Sequence, residues 1–331
     1  MGDVRWSRRE TLAAVGRCIA AGSASRACSS FVSANEAPPS PSESIIDVHM
    51  HVVESRLPGA LDKTVPLPPF DKPDPDAEAK FARKLTDEMK KSGVMKALCM
   101  PRCEVSDKDP LGIAGTLAMA ERVRGPKLYP VGLVHPERFD RDHLERVEEV
   151  LKQGKVKALK AYLGYLHYEP YSPGYRKYFP LAAKYKIPVI FHCGDTYSRT
   201  AKVKYAHPLK LDEIAVDYPD TRFVIAHFGN PWLLDAAQVV YKNPNVWIDL
   251  SAITIGDTEW YAKAKKDGSL ARTARRVKEA IEYTEAPERF LFGSDWPLNP
   301  LATYRDFVRD LFPKEDRAGV FRANAENLFG L

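Results

Sequence analysis

Asp47-Val48-His49-Met50-His51 sets a carboxylate and two imidazoles two residues apart. On an extended strand such residues share one face, so His49 and His51 can converge on a single cation. Further along, His192 and His227 each close a short apolar run, and Asp295 directly follows another. Imidazoles and carboxylates together suit Zn²⁺ or a similar transition ion. A lone histidine at a strand end is most often structural, and an HxH pair also arises by chance. Four histidines and an aspartate at the ends of separate strand-like runs point instead to a divalent metal held by side chains from several elements.

Those elements can be read from the hydropathy pattern. Short β-branched runs at Ile45–His51, Val94–Pro101, Leu128–His135, Val156–Leu163, Pro188–Cys193, Phe223–His227, Val246–Ser251 and Phe290–Ser294 have the apolar character of parallel strands covered on both faces. Between them lie charged amphipathic stretches, among them Glu78–Lys91, Arg141–Lys152, Lys177–Tyr185, Leu209–Tyr218 and Thr273–Tyr283. Alternation of this kind calls for a parallel sheet with right-handed crossovers. Eight repeats favour closure into a (β/α)₈ TIM barrel, whose carboxyl strand ends gather on one face. No GxGxxG follows any strand, which removes the main open-sheet nucleotide reading. The stretches Val53–Ala77 and Ala252–Gly268 are expected as loop insertions at the C-terminal face, where barrel lids arise.

Length and composition agree with this reading. The chain has 331 residues, ordinary for one such barrel with insertions, and its hydrophobic content of 44% and charged content of 28% are those of a globular enzyme. The net charge of +5 is scattered. Lys-rich pieces at 202–210 and 263–266 lack the aromatic interleaving of a nucleic-acid surface, so they are read as solvated faces. Of the cysteines, Cys18 and Cys28 fall near the N-terminus, leaving Cys99, Cys103 and Cys193 in the body. An odd number without a CxxC pair argues against a disulfide scaffold.

Residues 1–43 read as a leader and Pro/Ser linker, and residues 44–331 as the barrel. Ser7-Arg8-Arg9 followed by Leu12-Ala13-Ala14-Val15-Gly16 resembles a twin-arginine export signal, which implies a periplasmic or extracellular protein. A cytoplasmic or organellar location is the alternative. The apolar run is too short to span a bilayer. The expected partner is a small-molecule substrate, with no nucleic acid and no membrane span; a homo-oligomer is compatible with the sequence.

The strand-end segments Asp47-Val48-His49-Met50-His51, Phe191-His192, Ala226-His227-Phe228-Gly229 and Gly293-Ser294-Asp295-Trp296-Pro297 resemble those of the amidohydrolase superfamily. The similarity is greatest to its amidohydrolase-2 branch of metal-dependent hydrolases, lactonases and decarboxylases. The ending Asn324-Ala325-Glu326-Asn327-Leu328-Phe329-Gly330-Leu331 resembles that branch as well, so the resemblance runs from about Ser44 to the end. It implies a metal, with Zn²⁺ expected, on His49, His51, His192 and Asp295, and His227 as an acid/base group beside it. Lys160, near the end of the fourth strand, stands where binuclear members carry a carboxylated lysine bridging two metals. The reading adopted is one ion per chain; two is the alternative, with Lys160 bridging and His227 a ligand.

The activity this resemblance implies is hydrolysis, a metal-activated water attacking a C–N or C–O bond of an amide, lactone or ester. Asp295 would take the proton and His227 would polarise the carbonyl. Asp47 or Asp249 is expected to orient a ligand histidine. Tyr162, Tyr165, His167 and Tyr168 are candidates for shaping the pocket, and Arg102 and Arg199 for meeting a carboxylate. The alternatives are non-oxidative decarboxylation of an aromatic or unsaturated acid, and a non-catalytic barrel that binds a metal or ligand.

Overall fold

The computed structural model describes residues 44–58, 67 and 75–331; the leader and linker expected over residues 1–43 lie outside the described residues. Eight parallel strands follow one another around the sheet in chain order. They are β1 (Ile45–Met50), β2 (Val94–Cys99), β3 (Lys127–Leu133), β4 (Ala158–Ala161), β5 (Val189–Phe191), β6 (Phe223–Ile225), β7 (Val246–Asp249) and β8 (Phe290–Leu291). The segment after β8 closes the ring against β1. Phe292 and Trp296 accept from the N–H groups of Val48 and His51 at 2.9 and 2.7 Å, and Asp295 N–H donates to His49 O at 2.8 Å. The expected (β/α)₈ barrel is the observed architecture.

The helices alternate with these strands: α1 (Pro75–Ser92), α2 (Ala114–Arg122), α3 (Arg141–Lys152), α4 (Pro173–Arg176), α5 (Phe179–Lys184), α6 (Lys210–Asp217), α7 (Leu233–Lys242), α8 (Thr258–Lys266), α9 (Ser269–Thr284), α10 (Leu301–Arg309), α11 (Lys314–Ala318) and α12 (Asn324–Phe329). Their local chemistry is visible in α3. Asp140 caps it by accepting the His143 N–H at 2.9 Å, and His143, Val147 and Leu151 recur every four residues on the buried face. Helix α1 stops at Gly93, whose φ of 78° is open to glycine at little cost.

Ile46, Val48, Leu98, Val131, Ala158, Ile190, Val224 and Leu291 form one buried cluster with Ala325, Leu328 and Phe329 of α12. Arg222, just before β6, donates to Leu328 O at 2.8 Å, and Lys157, just before β4, to Gly330 O at 3.4 Å. The C-terminal helix therefore caps the end where strands begin, leaving the opposite end for the site. Between strands and helices, Phe179 meets Phe191, Phe223 and Tyr218 edge-on at 6.1, 5.2 and 5.0 Å. Such contacts add to the roughly 1.5–3 kcal/mol that burying each large side chain contributes. Among the described residues no helix is long and apolar enough to cross a membrane. Cys99, Cys103 and Cys193 are free and buried.

Candidate metal centre

The carboxyl ends of the strands carry every residue the sequence singles out as a donor, but they are not all equivalent. His49, His51 and Asp295 each offer a ligand atom, and these atoms lie within 4.8 Å of one another. Asp295 Oδ1 is 3.5 Å from His49 Nε2 and 3.2 Å from His51 Nε2. His192, expected beside them, lines the same cavity and faces His227, with its Nδ1 3.1 Å from His227 Nε2. Its other nitrogen, Nε2, lies 2.9 Å from the Asp195 carbonyl, which only accepts; that nitrogen therefore carries the proton and Nδ1 keeps its lone pair.

Several of these positions demand unusual backbone. His227 (φ 59°), Asp295 (φ 58°) and Ala252 (φ 47°) are in the left-handed region, each just past a strand end and each lining the same cavity. Non-glycine residues held there cost about 1–3 kcal/mol apiece and concentrate at functional sites. Around Asp295 the conformation is held by hydrogen bonds on both sides: its N–H to His49 O, Leu298 N–H to its own carbonyl at 3.0 Å, and Trp296 N–H to Ser294 Oγ at 3.0 Å.

Asp249 on β7 is the orienting carboxylate. Its Oδ2 is 2.5 Å from His49 Nδ1, so His49 donates through Nδ1 and leaves Nε2 toward Asp295. Ser251, two residues on, connects the same carboxylate to His227. Its hydroxyl lies 2.9 Å from Asp249 Oδ2, 3.1 Å from His49 Nδ1 and 2.9 Å from His227 Nδ1. Asp47 acts differently. Its Oδ1 accepts the backbone N–H groups of His49 and Ser294 at 3.0 and 3.1 Å, bracing strand ends and orienting no imidazole. A register shift between Asp47 and Met50 separates Asp47 from the simple i, i+2 alternation. Gly293 is needed for this packing, since a Cβ there would meet Asp249 Oδ1 at 2.2 Å and His49 Cβ at 3.0 Å.

Burial dominates the electrostatics. It pushes the carboxyl of Asp249 up to about 6 against the hydrogen bonds of Ser251 and the charge of Lys160. Asp47 rises to about 7 for the same reason, opposed by its hydrogen bonds from Ser294 and His49. His49, His192 and His227 are held well below the ordinary histidine value, by burial first and then by neighbouring cations and imidazoles. Burial also works to raise Asp295, but the adjacent His51 imidazole and the pull of His49 and Lys160 outweigh it and keep its carboxyl below the usual value. Lys160 is fully buried, lowered by that burial to about 8, and its Nζ has no hydrogen-bond partner among the described residues.

These observations fit a divalent cation at His49, His51 and Asp295. The set combines imidazole nitrogens with a carboxylate, and Asp295 Oδ1 is buried without a hydrogen-bond partner among the described residues. Replacing Asp249 by Asn should then lower metal affinity about 10–100-fold by freeing the His49 ring, measurable by competition with a chromophoric chelator.

The donors open onto a cavity of ≈ 290 Å³. Tyr162 and Tyr165 line it, as expected, and their hydroxyls are engaged by the protein, Tyr162 donating to Pro101 O at 2.7 Å and Tyr165 accepting Tyr197 N–H at 2.8 Å. His167 and Tyr168 are used elsewhere, on Thr200 O and Glu137. Arg102 lies by Glu104, and Arg199 is exposed; neither is among the cavity's described lining residues. The insertion after β7 contributes Ala252, Ile253, Thr254 and Ile255, and the loop after β1 contributes Ser55, Leu57 and Leu67. Ser251, Thr254, Tyr197 and Asn230 were not anticipated from sequence. Only Asp249-x-Ser251 carried a signal, the same alternate spacing as the HxH pair.

A protein-family model described as amidohydrolase, Amidohydro_2, matches residues 46–331. A comparison with curated protein sequences finds no match. Among solved structures, an uncharacterised TIM-barrel protein from Bordetella bronchiseptica is similar at 20% identity and a TM-score of 0.58, over 86% of this chain and 98% of that one. A probable 2-pyrone-4,6-dicarboxylic acid hydrolase from Acinetobacter baumannii is similar at 15% identity and 0.56, over 87% and 100%. The 5-carboxyvanillate decarboxylase of Sphingomonas paucimobilis is similar at 14% identity and 0.58, over 87% and 99%. Likenesses at this identity speak to the fold.

Proposed function

We propose that this chain, which belongs to the amidohydrolase family, is a metal-dependent hydrolase that cleaves a C–N or C–O bond in a small amide, lactone or ester. The observation that carries this reading is Asp295. Its Oδ1 is buried with no hydrogen-bond partner among the described residues, and that atom sits beside Nε2 of His49 and of His51. An acceptor with free lone pairs where two imidazoles converge is suited to taking a proton from an attacking water.

His49, His51 and Asp295 would hold one divalent ion, with His192 Nδ1 as a further donor and Zn²⁺ as the proposed identity. Bound there, the ion supplies Lewis-acid polarisation. Asp295 accepts the water's proton and returns it to the leaving group. His227, whose Nδ1 lies 2.9 Å from the Ser251 hydroxyl and 3.3 Å from the Ser251 carbonyl and whose Nε2 lies 3.1 Å from His192 Nδ1, would polarise the substrate carbonyl when its ring is protonated. Asp249 and Ser251 hold the His49 and His227 rings in the orientation these steps require. Tyr162 and Tyr165 line the cavity with their hydroxyls already engaged by the protein, and their rings would limit water beside the substrate.

A second reading is favoured by Lys160. A buried ammonium without a hydrogen-bond partner among the described residues is a charge that a substrate carboxylate would meet, which suits decarboxylation. The same residue, if carboxylated, suits a second ion. Metal-loaded protein assayed on aryl esters, lactones and amides, and in parallel on aromatic and unsaturated carboxylic acids, separates the reactions. Hydrolysis without CO₂ is expected. Stoichiometric CO₂ release with no ester, lactone or amide cleavage overturns the hydrolytic reading.

A further inference from the structure

The insertion after β7 carries a buried chain of hydrogen bonds that the metal chemistry leaves unexplained. Asn299 Nδ2 donates to Ser294 O at 3.0 Å. Because a carbonyl only accepts, the amide must be turned with its Oδ1 toward Tyr261, whose hydroxyl donates to it at 2.8 Å. Tyr261, on α8, is 4% exposed, and burial pushes its phenol up, so it keeps its one proton. Thr254 Oγ1 lies 2.7 Å from the same phenol oxygen. With that proton already committed to Asn299, the contact is made by the Thr254 hydroxyl donating to Tyr261. Every proton direction in the chain is thus set from one carbonyl outward, and it ends at a residue lining the cavity.

We propose that Tyr261 is a positioning residue for the substrate wall: by accepting the Thr254 hydroxyl proton, it leaves Thr254 able to meet a bound molecule only as a hydrogen-bond acceptor. The cavity then selects molecules that bring a donor, a hydroxyl or an N–H, to that wall. The same chain reaches Ser294, the neighbour of Asp295, so the wall and the metal-binding loop are fixed as one unit. This inference rests on the reading that the cavity holds the substrate, and it is independent of which bond is broken.

Phenol and anisole differ by the proton in question and are small beside a cavity of ≈ 290 Å³. Their affinities for the metal-loaded protein can be compared by NMR titration without turnover. Wild type should prefer phenol by about three- to tenfold, the worth of one neutral hydrogen bond. Thr254→Val should bring the ratio near one. Tyr261→Phe frees the threonine proton to meet the ether oxygen and should do the same. Thr254→Ser keeps the hydroxyl and should keep the preference, which separates lost polarity from lost folding, with thermal midpoints recorded for every variant. A ratio unchanged in Thr254→Val and Tyr261→Phe, as phenol binding at the metal would give, overturns the proposal. So does equal affinity for the two probes in wild type, or failure of both to bind. CO₂ release by the wild type would sink the hydrolytic reading alone and leave this ratio as it is.

Discussion

Asp295→Asn is expected to reduce hydrolysis by about 10²–10⁴-fold, the usual contribution of a positioned general base. The substitution keeps the side chain's shape and the left-handed backbone at φ 58°, which its neighbours hold through hydrogen bonds to Ser294 and His49. It removes the negative charge that the neighbouring imidazoles and Lys160 favour. Steady-state kinetics at saturating metal should show the loss in kcat, with KM changed far less, because the lost interaction belongs to the proton transfer. An equal loss confined to KM would place Asp295 in ground-state binding and remove the proposed base.

The second large effect concerns the histidines. His51→Ala takes away a donor that stands 3.2 Å from Asp295 Oδ1, and the expected loss of metal affinity exceeds the roughly 10–100-fold that disturbing an outer partner such as Asp249 costs. Activity should fall in step with occupancy and return in part when excess metal is supplied. His49→Ala should be worse, because it takes from the buried Asp249 carboxylate its imidazole partner, leaving only the Ser251 hydrogen bonds, as well as removing a ligand. An uncompensated buried carboxylate is costly in its own right. Thermal unfolding with and without metal separates that cost from lost binding: the metal-free stability of His49→Ala should fall further than that of His51→Ala.

The strands and the convergence of His49, His51 and Asp295 were legible because both follow from periodicity. Alternating apolar runs mark the sheet, and residues two apart at a strand end share a face. The runs overreach at their ends, however. Phe223–His227 is a strand only to Ile225, since His227 and Phe228 turn into left-handed backbone, a choice that hydropathy does not encode. The register shift in β1 was equally hidden, and with it the division of labour between Asp47, which braces backbone, and Asp249, which orients His49. His192 was expected among the ligands on resemblance; its 3.1 Å contact with His227 Nε2 is something that the sequence does not show. Contacts between residues distant in sequence, such as Tyr261 with Asn299 or Ser251 with His49, leave no local signature at all.

The central claim is that this barrel works through a metal held at His49, His51 and Asp295. It is tested most directly by elemental analysis of the purified protein before and after exhaustive chelation, with activity followed on the same samples. The account predicts about one divalent ion per chain, activity lost with the ion and recovered when Zn²⁺ or a similar transition ion is returned. Full activity in protein from which no metal can be detected would contradict it.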